Sequence, residues 1–253
     1  MSFVNLHGGT SKLKTKLGSC ITVIFDLEFY VPEKSRKEVG FCYNPWDKAS
    51  RILGGGFLSI NGFTVDKTHD DAIPKKIKSY WLWEHENNER VLLERILDVL
   101  VKASEKVSKA HNGTRSAVLC GIGISSSDVP ILFELFKRYK LLSNQQAFEL
   151  QNKFRVMDLS QIATPLFNLN TGYMYPAPKN GLMNKFVKGL KFESGCGVWD
   201  MYEDNNYSLI ESRVKSEISA TYLCYKSIIE ESRRLKSKEV ELKKLTKLFE
   251  NVS

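Results

Sequence analysis

The sequence predicts an α/β domain: a mixed sheet of about five strands, an antiparallel meander followed by parallel strands, flanked by helices. Three observations carry this. Residues 21–31 form a β-branched and aromatic run of strand character, followed by two more extended segments set off by turn residues. Apolar residues then recur at helical spacing over 86–110. Residues 117–124 are a short, nearly continuous apolar run, as expected of a strand buried on both faces, and lead into a second helix.

In chain order, residues 1–19 contain Gly8-Gly9 and several lysines and are expected to be a flexible lead-in. The first strand, 20–31, is closed by Pro32 and a charged segment. A second is expected at 39–43, ended by Asn44-Pro45. A third, 51–64, carries Gly54-Gly55-Gly56, which suggests a bend or bulge, and Asn61-Gly62, a turn signal. Residues 66–83 read as irregular. The helix over 86–110 places Val91, Leu92, Ile96, Val99, Leu100 and Val107 on its apolar face and stops at Asn112-Gly113. After the strand at 117–124, Asp128-Val129-Pro130 opens a helix, with an acid and a proline where a first turn favours them. Residues 154–158 form the fifth strand. Helices follow near 181–190 and 208–232, and 233–253 reads as a separate basic amphipathic helix through Leu242, Leu245, Leu248 and Phe249. There is no internal repeat and no linker long enough to divide the chain, so 20–232 is expected to be one domain.

The 253 residues carry 37 Lys+Arg against 29 Asp+Glu, a formal net charge of +8, which favours polyanionic partners or is simply a solubility surplus. Cys20, Cys42, Cys120, Cys196 and Cys224 lack the spacing of a zinc site and are expected to be reduced. No apolar run approaches the ~20 residues of a membrane span, and the N-terminus has no signal-peptide pattern. A cytoplasmic, membrane-free protein is the expectation.

The chemistry starts from Asp26 and Glu28. Positions two apart on a strand share a face, so these carboxylates stand side by side at the end of an apolar run. Such a pair repels itself at neutral pH unless it faces solvent, pairs with lysine, or holds a cation. Asp128, at a strand-to-helix junction, reads as a third acid of the same cleft or as a helix cap. Glu217 reads as a fourth or as a helix-surface acid. Gly121-x-Gly123 lacks the third glycine of a dinucleotide loop, where Ser126 stands, and Gly54–Gly56 is not followed by the Gly-Lys of a phosphate loop. A nucleotide-cofactor oxidoreductase is therefore a remote reading. The aromatics at 80–83 and 173–175 read as core or as platforms for unpaired bases.

Val23-Ile24-Phe25-Asp26-Leu27-Glu28 resembles the first motif of the DEDD 3′→5′ exonuclease superfamily, the proofreading-type nucleases. Gly121 to Leu132, with Asp128-Val129-Pro130, resembles the second motif, and Val156-Met157-Asp158 the strand that follows it. Lys191, then 195–199, then 210–222 is similar to the end of the domain in the branch nearest the exonuclease domains of family B DNA polymerases. The third motif of that branch is Tyr-x₃-Asp; here Arg213 stands at the tyrosine position and Glu217 at the aspartate. The resemblance implies a ribonuclease H-like fold and two Mg²⁺ or Mn²⁺ ions roughly 3.5–4 Å apart. Asp26, Glu28, Asp128 and Glu217 would be the ligands, with Arg213 a phosphate contact in place of a water-orienting tyrosine. It also implies a single-stranded DNA substrate, with RNA and a protein partner as further partners to consider. The departure at Arg213 and Glu217 raises the alternative of a catalytically weakened protein that binds nucleic-acid ends or acts as a scaffold.

Overall fold

The computed structural model describes residues 20–36, 43–61, 72–113, 115–162, 178–187, 192 and 197–250. Five strands form one sheet: β1 (Ile21–Tyr30), β2 (Arg51–Asn61), β3 (Lys78–Trp81), β4 (Ala117–Gly121) and β5 (Phe154–Asp158), in the order β3-β2-β1-β4-β5. The first three pair antiparallel, while β1, β4 and β5 run parallel. This mixed sheet, flanked by helices, is the α/β architecture expected and is compatible with a ribonuclease H-like arrangement.

The meander differs in its membership. Residues 37–42 lie outside the described part, and Tyr43, the last of the expected second strand, is buried but not in a strand. The antiparallel neighbour of β1 is β2, and the third member is β3, from a stretch expected to be irregular. Lys78-Ser79-Tyr80-Trp81 is too short to show alternation. Its extended state depends on pairing with Gly54–Phe57, which are distant in sequence.

Helix α1 (Glu89–Ala110) is capped by Asn88, whose side chain accepts from the Arg90 and Val91 amides, and buries Leu92, Leu93, Ile96, Leu97, Leu100 and Val107. Asn112 and Gly113, both at positive φ, end it as their sequence suggests. Helix α2 (Asp128–Arg138) starts at Asp128 and buries Ile131, Leu132, Leu135 and Phe136. Helix α3 (Asn144–Asn152) has no strong hydrophobic period. Its signal is a capping box, with Ser143 and Gln146 each accepting from the other's backbone amide. The short α4 (Leu159–Ile162), α5 (Lys179–Phe186) and α6 (Gly197–Glu203) follow.

Helix α7 (Tyr207–Glu250) is continuous for 44 residues across the expected boundary at 232–233. Burial changes near that point. Ile210, Val214, Ile218, Tyr222, Tyr225 and Ile228 lie in the core, whereas every residue from 233 to 243 is exposed. The core joins both sheet halves to α1, α2 and α7, with Phe25 stacked on Phe57 at 5.8 Å between ring centroids. Cys20, Cys120 and Cys224 are buried and unbridged. Among the described residues, no helix is long and apolar enough to cross a membrane.

Candidate metal centre

The site forms where β1 outruns its parallel neighbour. Strand β4 pairs with Thr22, Val23 and Ile24, and β1 continues alone on that edge through Asp26 and Glu28. On its other edge these residues face glycines: Asp26 opposite Gly56, Leu27 opposite Gly55 and Glu28 opposite Gly54. A register shift follows Glu28, so the expected bulge is present beside the glycine run, and Gly54 has φ +133°. A Cβ at Gly56 would stand 2.4 Å from the Ile218 side chain and 3.0 Å from that of Val214. The missing side chain lets α7 settle against β2 beside the acids. That close approach brings Arg213 and Glu217, one turn apart on α7, to the β1 carboxylates.

One oxygen each from Asp26, Glu28 and Glu217 lies within 4.8 Å of the others. Glu28 is 8% exposed and Glu217 2%, while Asp26 is half-buried and keeps an opening to solvent. Two cations enter the cluster. Lys179, the first residue of α5, places Nζ 2.5 Å from Glu217 Oε2. Arg213 Nη2 is 3.0 Å from Glu217 Oε1, and its Nε is 3.6 Å from Glu28 Oε1. Glu217 Oε1 is buried and, despite the nearby guanidinium, has no aligned hydrogen-bond donor.

Asp128 is the fourth expected acid. It does not cap its helix: Oδ1 accepts from the Leu27 amide at 3.0 Å and Oδ2 from Ser127 Oγ at 2.5 Å. It thus ties the start of α2 to β1 between Asp26 and Glu28, outside the three-carboxylate group but near enough to act on both electrostatically. Asp158, the last residue of the expected fifth strand, ends β5 and organises the loop that leads to Asp128. It accepts from the amides of Gly123, Ser125 and Ser160 and from the Ser125 and Ser160 hydroxyls.

The electrostatics follow from burial. Desolvation pushes the Asp26 carboxyl well above its ordinary value; Lys179 opposes this, while Glu217, Glu28 and Asp128 add to it. Glu28 is pushed up to about 8 by burial and by Glu217, against Arg213 and Lys179. Burial also raises Asp128, in spite of its hydrogen bonds from Ser127 and Leu27. Burial disfavours the Lys179 ammonium, yet Asp26 and Glu217 outweigh it and hold its pKa above the ordinary value. Asp26 and Glu28, which resist ionisation beside one another, are a ready acceptor for a cation. The donor set is oxygen only, which suits a hard ion such as Mg²⁺ or Mn²⁺.

The structure therefore brings together Asp26, Glu28, Glu217 and Arg213, with Asp128 adjoining. Lys179 is the member that the sequence does not announce. It lies 38 residues before Glu217, and no spacing rule relates the two. The 80–83 aromatic group is engaged within the protein: Trp83 stacks with both Trp81 and Tyr207. The group at 173–175 lies outside the described residues. Compared with family models and with curated proteins, the chain matches none.

Proposed function

We propose that the protein is a metal-dependent 3′→5′ exonuclease that removes nucleotides from single-stranded DNA ends. The observation that carries this reading is the convergence of Asp26, Glu28 and Glu217, residues nearly 200 positions apart in sequence, into one buried carboxylate group. The ordered resemblance of the motifs supports the polarity and the substrate, and the net charge of +8 suits a polyanion. Asp26, Glu28 and Glu217 hold the divalent cation, and Asp128 fixes β1 against α2 beside them. A bound ion of this type lowers the pKa of water and stabilises charge on a scissile phosphate. Arg213 and Lys179 adjoin the same carboxylates and present positive charge to a phosphate drawn toward them. The half-buried Asp26 marks the side from which a chain end enters. The test is a 5′-labelled oligonucleotide incubated with Mg²⁺ or Mn²⁺. Progressive shortening that disappears in Asp26→Ala is expected; no shortening, or shortening that survives the substitution, sinks the reading.

A second reading is favoured by one observation: both oxygens of Glu217 face protein cations. A carboxylate already neutralised by Lys179 and Arg213 needs no metal, and the protein then binds nucleic-acid ends, or scaffolds a partner, without turnover. Salt-dependent oligonucleotide binding with no metal-dependent shortening identifies this case.

A further inference from the structure

We propose that this centre takes one divalent cation per chain, with Lys179 and Arg213 standing in place of the second ion of a two-ion site. The inference rests on the reading of the carboxylate group as a metal centre and departs from the two ions that the sequence resemblance implies.

The first ground is the supply of ligands. The group that shares a common point consists of Asp26, Glu28 and Glu217. The fourth acid, Asp128, stands outside that group, and each of its oxygens already accepts one hydrogen bond, Oδ1 from the Leu27 amide and Oδ2 from Ser127 Oγ. A second ion coordinated by Asp128 must compete with a backbone contact that also fixes the start of α2.

The second ground is charge. The four carboxylates and the two cations leave a formal charge of −2, which one divalent ion neutralises. Two ions would leave +2 in a site whose acids are largely out of water, where uncompensated charge is costly. A single phosphodiester does not cancel that excess. The third ground is position. Lys179 Nζ and Arg213 Nη2 lie on opposite oxygens of Glu217, the one acid contributed by α7, and Arg213 Nε reaches toward Glu28. The protein cations thus stand among the three carboxylates, with Lys179 acting also on Asp26, the most open member. Lys179 is further held by the Phe192 ring, 5.0 Å from Nζ. An ammonium and a guanidinium supply the positive charge of a second ion, but without its ability to acidify water.

The experiment counts Mn²⁺ bound to the full-length chain, by equilibrium dialysis and by loss of the free-ion paramagnetic resonance signal. It is run with and without thymidine 5′-monophosphate as a product-like phosphate. One Mn²⁺ per chain in both conditions is expected. Two per chain overturns the proposal and leaves the metal-centre reading intact; none removes both. In Lys179→Met/Arg213→Met, checked for folding by its melting transition, a second Mn²⁺ should appear. A count that stays at one in that folded variant overturns the role given to the cations. The charge-preserving pair Lys179→Arg/Arg213→Lys should remain at one, and a rise to two there also counts against it.

Discussion

Two buried acidic regions lie at the same end of the sheet and solve the same problem in opposite ways. Asp158 is 3% exposed and receives five hydrogen bonds, three from backbone amides and two from hydroxyls. Burial opposes its charge, but the donors from Ser125, Ser160 and Gly123 outweigh this and hold its carboxyl below the ordinary range. Asp26, Glu28 and Glu217 draw no backbone amide among the described residues, so burial, with mutual repulsion added to it, drives the Asp26 and Glu28 carboxyls upward. A carboxylate saturated with amides is finished as a structural part. A group of carboxylates left without them retains ligand capacity, and that contrast separates scaffold from candidate site more sharply than burial does.

The largest effect that tests the contrast is on binding and turnover. Asp26→Asn should reduce Mn²⁺ binding and oligonucleotide shortening to background, while urea unfolding of the chelated protein shows equal or greater stability. A similar loss of stability in this variant would make Asp26 a structural acid like Asp158. Next comes Asp158→Ala, which removes an acceptor used by five donors and should cost about 3 kcal/mol in urea unfolding. A change under about 0.5 kcal/mol would show that the loop does not depend on it. Gly56→Val should cost about 2 kcal/mol by forcing Ile218 and Val214 away from β2. Because α7 carries Glu217, it should also weaken Mn²⁺ binding; intact binding would mean that the glycine run does not set the site. The smallest effects are in pH, and they have opposite signs. The folded Asp158 carboxyl titrates below its ordinary value of 3.8, so its contribution is complete above that value and is lost as pH falls through the lower folded one. The folded Glu28 carboxyl titrates near 8 against an ordinary 4.5, so its ionisation costs the chelated protein stability as pH rises between those values. Urea titrations of Asp158→Asn and Glu28→Gln, each compared with the parent across pH, should flatten the acid limb and the neutral limb respectively.

The parts legible in the sequence are those whose cause is local. The acids of β1, the continuous apolar run of β4, the amphipathic face of α1 and the proline-marked start of α2 all stand where their residues place them. Strand β3 was not legible, because four residues become a strand only through pairing with a glycine run more than twenty positions away. The Gly54–Gly56 run announced a bulge but not its larger effect, which is to clear the face on which α7 lies. Glu217 could be singled out only through the order of motifs, since a glutamate on a helix is ordinarily a solvated one. Lys179 had no signal at all. Its role comes from where α5 is delivered in space, and no periodicity in 178–187 records that.

Helix α7 has a mechanical consequence. At 1.5 Å per residue its 44 residues span about 66 Å, and Glu217 lies about 24 Å along the axis from Arg233, the first of the exposed stretch. The helix packs into the core as far as Ile228, and residues 233–243 are exposed, so this stretch projects like a beam from a fixed base. A load applied to 233–243 would be carried along the same rod that holds Arg213 and Glu217, and the close contact of Ile218 and Val214 with Gly56 is where the rod bears on the sheet.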